Sequence, residues 1–222
     1  MTQERWTAVD RYIEEALGLT DPALEAAVAA AKAAGLPEIQ VAPNQGKLLW
    51  LLARARGARR ILEIGTLGGY SAIWLARALP PGGKLVTLEV DAKHAEVARA
   101  NLAHAGLAER VELRLGPALE TLPKLAAEGA GPFELVFVDA DKPSMPQYFE
   151  WALKLSAPGA VLVFDNVVRE GGILDTSGAD PAVEGVRRLN AKLAAEPRVS
   201  ATTVQTVGSK GWDGLTIAYV TT

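Results

Sequence analysis

Apolar positions along this chain follow two periods, one typical of helices and one typical of strands. From residue 60 onward, segments with helical spacing separate short apolar runs, which lie near 60–64, 84–90, 110–115, 133–138 and 159–164. This alternation predicts an α/β protein with a parallel sheet and right-handed crossovers. Two further runs, Ala201 to Val207 and Gly214 to Val220, are joined by a glycine-containing loop. They predict an antiparallel hairpin at one edge of the sheet.

The segment before the first strand has a helical pattern. Val9 to Leu17 is predicted to form a short amphipathic helix. Asp21 and Pro22 mark the start of a second helix as its N-cap and first-turn proline, and Gly35 marks its end. A nucleotide-binding sheet does not require this helical preface, residues 1–40. We therefore expect the preface to cover the active site or to contact a second subunit.

Length, composition and charge narrow the class of protein. A chain of 222 residues can build one complete α/β core and no linker divides it, so residues 1–222 are predicted to form a single domain. The absence of cysteine excludes disulfides, thiol nucleophiles and thiolate metal sites. A net charge of −3 gives no basic surface for nucleic acid or anionic lipid. The N-terminus is too charged for a signal peptide, and no apolar run has the length of a membrane span. We expect a cytoplasmic protein without a nucleic-acid or membrane partner.

The first predicted strand runs into a glycine-rich turn between Ile61 and Ser71. Glycines permit close approach of a ligand, and the helix that opens at Tyr70 presents unpaired N–H groups to an anion. A dinucleotide fold has glycine where this chain has Glu63, whose carboxylate would repel a pyrophosphate but would suit an ammonium group. With Ser71 and the helix N-terminus left for a carboxylate, the turn fits the methionine end of S-adenosylmethionine. The alternative is an ordinary corner between a strand and a helix.

The second predicted strand also ends on an acid, Glu89. In a doubly wound sheet, the carboxylate that binds a ribose lies one strand–helix unit after the glycine turn. Glu89 is therefore the candidate for the ribose hydroxyls, and the alternative is a solvated acid at a strand end. Asp91 is predicted to cap the next helix. The turn at 116–118, after the third strand, offers small residues through which an adenine could reach the backbone.

Two later strands end on side chains with oxygen donors. Asp139 follows the run at 133–138, and Asp165 and Asn166 follow the run near 159–164. The carboxyl ends of parallel strands share one edge of the sheet, where open α/β sheets bind ligands. Two carboxylates and an amide carbonyl suit Mg²⁺. The set predicts a metal site beside the cofactor pocket, and the alternative is that these residues form turns and helix caps.

Together these motifs resemble a known family. The runs Glu63 to Ser71, Val138 to Lys142 and Phe164 to Val167 are similar to those of the cation-dependent small-molecule O-methyltransferases, the group that contains caffeoyl-CoA and catechol O-methyltransferases. Order and spacing match from Val41 almost to the C-terminus, where the run Trp212 to Leu215 resembles the family's closing hairpin strand. The resemblance implies a Rossmann-like class I methyltransferase fold with a mostly parallel seven-stranded sheet.

The resemblance also implies a function and a set of site residues. It implies S-adenosyl-L-methionine as the methyl donor, a divalent cation such as Mg²⁺, a small aromatic diol as the acceptor, and a homodimer. Carried over residue by residue, it implies cofactor contacts from Val41, Glu63, Gly65, Thr66, Gly69, Ser71, Glu89, Ala118 and Asp139. It implies metal ligation by Asp139, Asp165 and Asn166, and catalysis by Lys142, as the base, together with Asp139.

Two departures limit what the resemblance carries over. The family often has an acid-Gly-Gln run ahead of its first core helix, whereas this chain has Asn44-Gln45-Gly46-Lys47. The catechol enzymes of animals place an aromatic residue just before the catalytic lysine, whereas this chain has Asp141. The role of the acid in the acid-Gly-Gln run therefore cannot be assigned to a residue of this chain. The same holds for the aromatic residue with which the animal enzymes hold their substrate.

The implied reaction is direct methyl transfer from the sulfonium to one oxygen of a vicinal aromatic diol. A free phenol has a pKa of about 10 and is a poor nucleophile at neutral pH, so coordination to a metal would help by lowering that pKa. Lys142 would take the proton, unless it serves only in a salt bridge to Asp139 or Asp141. The rival functions are a metal-independent methyltransferase, a non-catalytic S-adenosylmethionine-binding protein, and a nicotinamide dehydrogenase, against which Glu63 argues.

Several conspicuous side chains are expected to have no role in the chemistry. Trp50 and Trp74 fall on apolar helix faces and are predicted to lie in the core. His94 and His104 are predicted to lie on a helix surface. Trp212 follows a flexible, glycine-containing stretch, and it is predicted to be either a wall of the substrate pocket or an interface residue.

Overall fold

The computed structural model describes residues 2–221. Within that range the helices are α1 (Gln3–Leu17), α2 (Pro22–Ala33), α3 (Pro43–Arg56), α4 (Tyr70–Ala78), α5 (Ala92–His104), α6 (Ala118–Ala127), α7 (Met145–Lys154) and α8 (Pro181–Ala195). The strands are β1 (Arg60–Ile64), β2 (Lys84–Glu89), β3 (Val111–Leu115), β4 (Phe133–Val138), β5 (Ser156–Asp165), β6 (Val199–Gly208) and β7 (Gly211–Val220). Among these helices, none is long and apolar enough to cross a membrane.

The strands form one sheet in the order β3-β2-β1-β4-β5-β7-β6. The first five strands pair in parallel, and β7 pairs antiparallel with both β5 and β6. The predicted seven-stranded, mostly parallel sheet with a C-terminal hairpin is thereby confirmed. The strand order reverses direction beside β1 and β4, and ligands bind outside the carboxyl ends of strands at such a switch point.

Helices cover both faces of the sheet and bury two apolar layers. Successive strand residues point to opposite faces, so Ile61 packs in one layer with Leu49 and Trp74, while Leu62 packs in the other with Phe149. β1 is thus buried on both sides, and the edge at which it ends has a fixed position relative to its neighbours.

The first helix is longer than its apolar pattern indicates. α1 begins at Gln3, not at Val9. Its first turn is polar, and it closes through backbone hydrogen bonds from Arg5 and Trp6 to the carbonyl of Thr2. Apolar periodicity cannot mark the start of a helix whose first turn faces solvent, which is why the predicted boundary was wrong.

The helical preface lies against both the hairpin and the cavity. The buried carboxylate of Asp10 accepts hydrogen bonds from Asn44 Nδ2 at 2.8 Å and from the backbone N–H of Ser209 at 2.6 Å. α1 thereby fixes the turn between β6 and β7 next to the start of α3. Ala27 and Ala31 of α2 line the central cavity. α2 thus covers part of this cavity, and whether the cavity is the active site stays a prediction.

Two predicted helix caps are confirmed. Asp21 accepts hydrogen bonds from the backbone N–H groups of Ala23 and Leu24, with Pro22 in the first turn of α2. The side chain of Asp91 likewise accepts hydrogen bonds from the backbone N–H groups of the second and third residues of α5. Such caps are local features of sequence, so they could be identified before the fold.

Of the two tryptophans predicted to lie in the core, only one is buried there. Trp74 is buried between α3 and the sheet. The prediction for Trp50 was wrong, because its side chain is only half-buried. Its ring packs against the edge of the core, and Lys47 Nζ lies 4.0 Å from the centre of the ring.

Candidate active site

A cavity of about 860 Å³ opens at the carboxyl ends of β1, β2, β4 and β5. It brings together most of the residues predicted to act, although they come from separate strands and loops. The lining includes Val41, Gly65, Thr66, Ser71, Glu89, Ala118, Asp139, Lys142, Asp165 and Asn166. The remaining two predicted cofactor residues, Glu63 and Gly69, lie behind this lining.

Gly65 lets the turn after β1 pack directly against the end of β4. Its φ is +99°, and a Cβ there would lie 1.9 Å from the carbonyl oxygen of Asp139. Backbone hydrogen bonds from Gly65 to Leu88 and from Asp139 to Ile64 hold this contact. Only glycine satisfies both the dihedral angle and the space. The glycine turn and Asp139 are therefore neighbours in the cavity wall.

Glu89 joins the turns after β1 and β2. Its Oε2 accepts hydrogen bonds from the backbone N–H groups of Thr66 at 3.2 Å and Leu67 at 2.7 Å. Its Oε1 accepts from those of Val90 and Asp91, both at 2.9 Å. A carboxylate offers about four acceptor positions, so a ribose hydroxyl bound to Glu89 would share one of them. Glu89 thus has a structural role in addition to its predicted contact with a ribose.

Glu63 is completely buried beneath the turn. Its Oε2 accepts a hydrogen bond from Thr87 Oγ1 at 2.6 Å, and its Oε1 has no hydrogen-bond partner among residues 2–221. Burial raises the pKa of Glu63 to about 7, although the hydroxyls of Ser71 and Thr87 favour the charged form. A carboxylate oxygen without a hydrogen-bond partner is consistent with the predicted attraction of an ammonium group. Glu63 does not line the cavity, however, so Ser71 would lie between it and a bound ligand.

The predicted metal ligands and base meet at one end of the cavity. Lys142 Nζ donates a hydrogen bond to Asp139 Oδ1 at 3.0 Å. Asp165 Oδ2 accepts from Gln45 Nε2 at 2.6 Å, and Asp165 Oδ1 accepts from the backbone N–H of Asn166 at 2.7 Å. Burial and the nearby charge of Asp139 raise the pKa of Asp165 to about 7. The cluster therefore contains two carboxylates that repel each other.

This donor set fits a hard divalent cation. Within residues 2–221 there is no group of three His, Cys, Asp or Glu side chains that could hold a metal ion. The predicted set instead combines Asp139 and Asp165 with the amide oxygen of Asn166, and all three line the same cavity. A cation between the carboxylates would relieve their repulsion, and oxygen ligands of this kind suit Mg²⁺.

Lys142 forms one of the two ion pairs considered from the sequence. It is buried and pairs with Asp139. Asp141 has other partners, since it accepts hydrogen bonds from the hydroxyl of Tyr148 and from the backbone N–H of Ser144. The pair fixes the ammonium group beside the predicted metal ligands.

Sequence reasoning missed two cavity residues. Gln45 contacts Asp165 across 120 positions of sequence, and the departure at Asn44-Gln45-Gly46-Lys47 was its only signal. Tyr148 lines the cavity beside Asp141, where burial and that carboxylate raise the pKa of its hydroxyl. It lies inside the apolar face of α7, so its pattern is that of an ordinary core residue.

Trp212 and His94 occupy unexpected surroundings. The ring of Trp212 lies over Gly171, where a Cβ would come within 3.0 Å of it, and its Nε1 donates to Gln205 Oε1. Trp212 therefore supports the loop after β5 from behind. His94 is not fully solvated, because its Nδ1 lies 3.7 Å from Glu89 Oε1.

The chain is similar to known methyltransferases over nearly its whole length. The model of a family described as O-methyltransferase matches residues 19–219. The catechol O-methyltransferase of Niastella koreensis is 52% identical over 220 residues, which cover 99% of this chain and 100% of that protein. The catechol O-methyltransferase of Mycobacterium tuberculosis is 55% identical over 96% of this chain and 94% of that protein.

A solved structure of an O-methyltransferase also matches this chain over nearly its whole length. The crystal structure of an O-methyltransferase from Bacillus cereus in complex with SAH superposes with a TM-score of 0.97 at 55% sequence identity. The superposition covers 99% of this chain and 100% of that chain. The fold of this chain is therefore the same as that of this O-methyltransferase.

The buried carboxyl of Glu63 predicts a pH dependence of stability. Burial raises its pKa from the usual 4.5 to about 7, so the folded state binds this proton more tightly than the unfolded state does. The free energy of unfolding should fall between these values as pH rises, by on the order of 3 kcal/mol from this residue. Glu63→Gln removes this titration, so we expect a smaller loss of stability between about pH 5 and about pH 8, measured by urea denaturation.

The matched control is Glu25→Gln, which changes an exposed carboxyl near the start of α2 and should retain the wild-type pH dependence. Asp165, whose pKa is also raised to about 7, contributes to the pH dependence that remains without Glu63. An identical pH dependence in wild type and Glu63→Gln would contradict the assigned burial effect.

Proposed function

This chain belongs to the O-methyltransferase family, and we propose that it transfers a methyl group from S-adenosylmethionine to one hydroxyl of an aromatic vicinal diol with the help of a divalent cation. One observation carries the proposal. Asp139, Lys142, Asp165 and Asn166 meet at one end of a cavity whose other wall is the glycine turn. The names of two relatives more than half identical to the chain, both catechol O-methyltransferases, support the same acceptor.

The methyl donor would bind along the ends of β1, β2 and β3. S-adenosylmethionine, when bound, supplies an activated methyl group on its sulfonium. Ser71 and the N-terminus of α4 would hold its carboxylate, Glu89 would receive the ribose hydroxyls, and Ala118 would lie beside the adenine. SAH bound to the Bacillus cereus relative supports this cofactor.

The oxygen donors would hold the divalent cation beside the glycine turn, where β4 and β5 end. Asp139, Asp165 and Asn166 supply them, and Gln45 fixes the orientation of the Asp165 carboxylate by its 2.6 Å hydrogen bond. A divalent cation, when bound, supplies Lewis-acid polarisation of a hydroxyl oxygen. Hydrogen bonds of this kind commonly orient carboxylates that bind metal ions.

Lys142 would receive the acceptor's proton. Its Nζ lies 3.0 Å from Asp139 Oδ1, so the same carboxylate faces both the ammonium group and the metal position. A hydroxyl bound at that end would lie beside Nζ, and Lys142 in its neutral amine form would take the proton, becoming an ammonium group, as the oxygen attacks. The cavity walls would then align oxygen, methyl and sulfur for transfer.

Turnover of labelled S-adenosylmethionine with a panel of catechols, with Mg²⁺ and with a chelator, tests the proposal. We expect methylated product only with a divalent cation. Asp165→Ala should abolish this activity and weaken metal binding by at least about tenfold, because it removes a charged ligand. Binding of S-adenosylmethionine, measured by calorimetry, should change little, since Asp165 lies on a different strand from the glycine turn.

Asp175→Ala is the matched control, because Asp175 is exposed in the loop before α8. It should retain wild-type activity and metal dependence. Full activity of the wild type in chelator would instead indicate a metal-independent methyltransferase. Cofactor binding without turnover on any acceptor would indicate a non-catalytic binding protein.

Lys142→Met separates the base from the metal site. We expect metal and cofactor affinities near the wild-type values and a fall in kcat of roughly 10²–10⁴, the usual contribution of a general base. Raising the pH should restore part of the activity, because hydroxide can remove the proton instead. Steady-state pH–rate profiles and thermal melts measure both effects.

Lys154→Met is the control for loss of a surface ammonium group, since Lys154 stacks on Trp151 away from the cavity. It should have no effect on kcat. If Lys142 is only a structural partner of Asp139, Lys142→Met will melt at lower temperature and alkali will not restore its activity, which would refute the role as base.

We also infer that the protein forms a homodimer through the outer strand of its sheet. β6 is an edge strand that is exposed along nearly its whole length, including Val204 and Val207. Unpaired strand edges with apolar side chains favour association. Sedimentation equilibrium should give twice the monomer mass at tens of micromolar protein, and Val204→Lys should weaken the dimer. A wild-type monomer at that concentration would refute the inference.

A further inference from the structure

Two cations of the cavity wall have no role in the reaction described so far. The cationic side chains among the lining residues are Lys142, Arg169 and Lys210. Lys142 pairs with Asp139. Within residues 2–221, neither Arg169 nor Lys210 forms a salt bridge with a carboxylate.

Arg169 is held in position by its backbone while its side chain lacks a partner. It lies three residues after Asn166, in the loop after β5, with a φ of +55°. Asp213 Oδ1 accepts a hydrogen bond from its backbone N–H at 3.0 Å. Its Nε is buried without a hydrogen-bond partner among residues 2–221. A left-handed non-glycine residue is uncommon, and Arg169 lines the same cavity as Asn166.

Lys210 approaches the same cavity from the turn between β6 and β7. Its Nζ donates a hydrogen bond to the backbone carbonyl of Glu38 at 2.9 Å. The carboxylate of Glu38 is instead paired with Lys32 at 3.1 Å. Asp10 holds the turn in place through the backbone N–H of Ser209. Partial burial lowers the pKa of Lys210, and the charge of Glu38 opposes this effect.

The chemistry of the two side chains identifies what they would bind. A guanidinium group presents a planar fork of donors that matches a carboxylate, and an ammonium group adds a point charge. Neither cation has a carboxylate partner among residues 2–221, so an anionic group of a ligand that pairs with them is bound in preference to a neutral group. The acidic residues near the metal position would repel an anion. An anionic group of the acceptor would therefore bind where Arg169 and Lys210 line the cavity.

We propose that the acceptor is an aromatic diol that carries a carboxylate, with Arg169 and Lys210 binding the carboxylate while the diol lies between Lys142 and Asn166. This inference rests on the proposed function and adds the substrate class. It makes Arg169 and Lys210 determinants of specificity that act through ground-state binding of the acceptor. Neither side chain takes part in proton transfer.

The test compares two acceptors of nearly equal shape, protocatechuate and its neutral amide. With wild-type protein, we expect kcat/KM for the acid to exceed that for the amide by roughly 10- to 150-fold, the range for losing hydrogen bonds to a charged group. Arg169→Gln should remove most of this preference by raising KM for the acid, with kcat almost unchanged. Its kcat/KM for the amide should remain within about threefold of wild type.

Lys210→Gln provides a second variant, because its exposed side chain can change without disturbing the core. It should reduce the preference less than Arg169→Gln. Arg188→Gln is the matched control, since Arg188 is exposed on α8 outside the cavity, and it should retain the full preference. Equal kcat/KM for acid and amide in the wild type, or a full preference in both cavity variants, would overturn the proposal.

A binding measurement separates failure of this inference from failure of the proposed function. Calorimetric titration of protocatechuate and the amide into the protein with SAH and Mg²⁺ should show the same preference, and the same loss in Arg169→Gln. If no diol is methylated, the proposed function fails, and the titration still decides whether the wall binds a carboxylate. Equal dissociation constants for the two compounds would overturn the inference even if both are methylated.

Discussion

The site depends on the close contact between the turn after β1 and the end of β4. A Cβ at Gly65 would lie 1.9 Å from the carbonyl oxygen of Asp139, so any larger residue would force these segments apart. The contact places the glycine turn, where the methionine end of the cofactor is proposed to bind, directly beside the first predicted metal ligand. Lys142 follows three residues later and pairs with that ligand. The distance between donor and acceptor sites is therefore set by backbone packing.

Three carboxylates of this edge show how surroundings decide the role of one chemical group. Glu89 accepts four backbone N–H groups and stabilises the two turns that it joins. Glu63 and Asp165 are buried with too few donors, and the pKa of each is raised to about 7. Burial is the main cause for both residues and the charge of Asp139 adds to it, so a positively charged ligand nearby would favour their ionised forms. Groups of this kind concentrate at functional sites.

Much of the fold and the candidate site could be predicted from local patterns. Strand ends marked by Asp139, Asp165 and Asn166 do lie in one cavity, because parallel strands bring their carboxyl ends to one edge. The start of α1 was missed because its first turn is polar. Trp50 was assigned to the core because apolar spacing indicates which face of a helix is buried, but not how deeply each side chain on that face is buried. Gln45 was missed because its partner is 120 residues away.

The sequence by itself determined the class of fold, the order of strands and helices, the caps at Asp21 and Asp91, and the family. These follow from spacings within a few residues or from whole motifs, which a linear chain displays directly. Only the tertiary structure decided that Glu63 lies behind the cavity lining and that Arg169 and Lys210 share the cavity wall. Such facts depend on packing between segments distant in sequence, because burial, free donors and charge neighbours arise only when those segments meet.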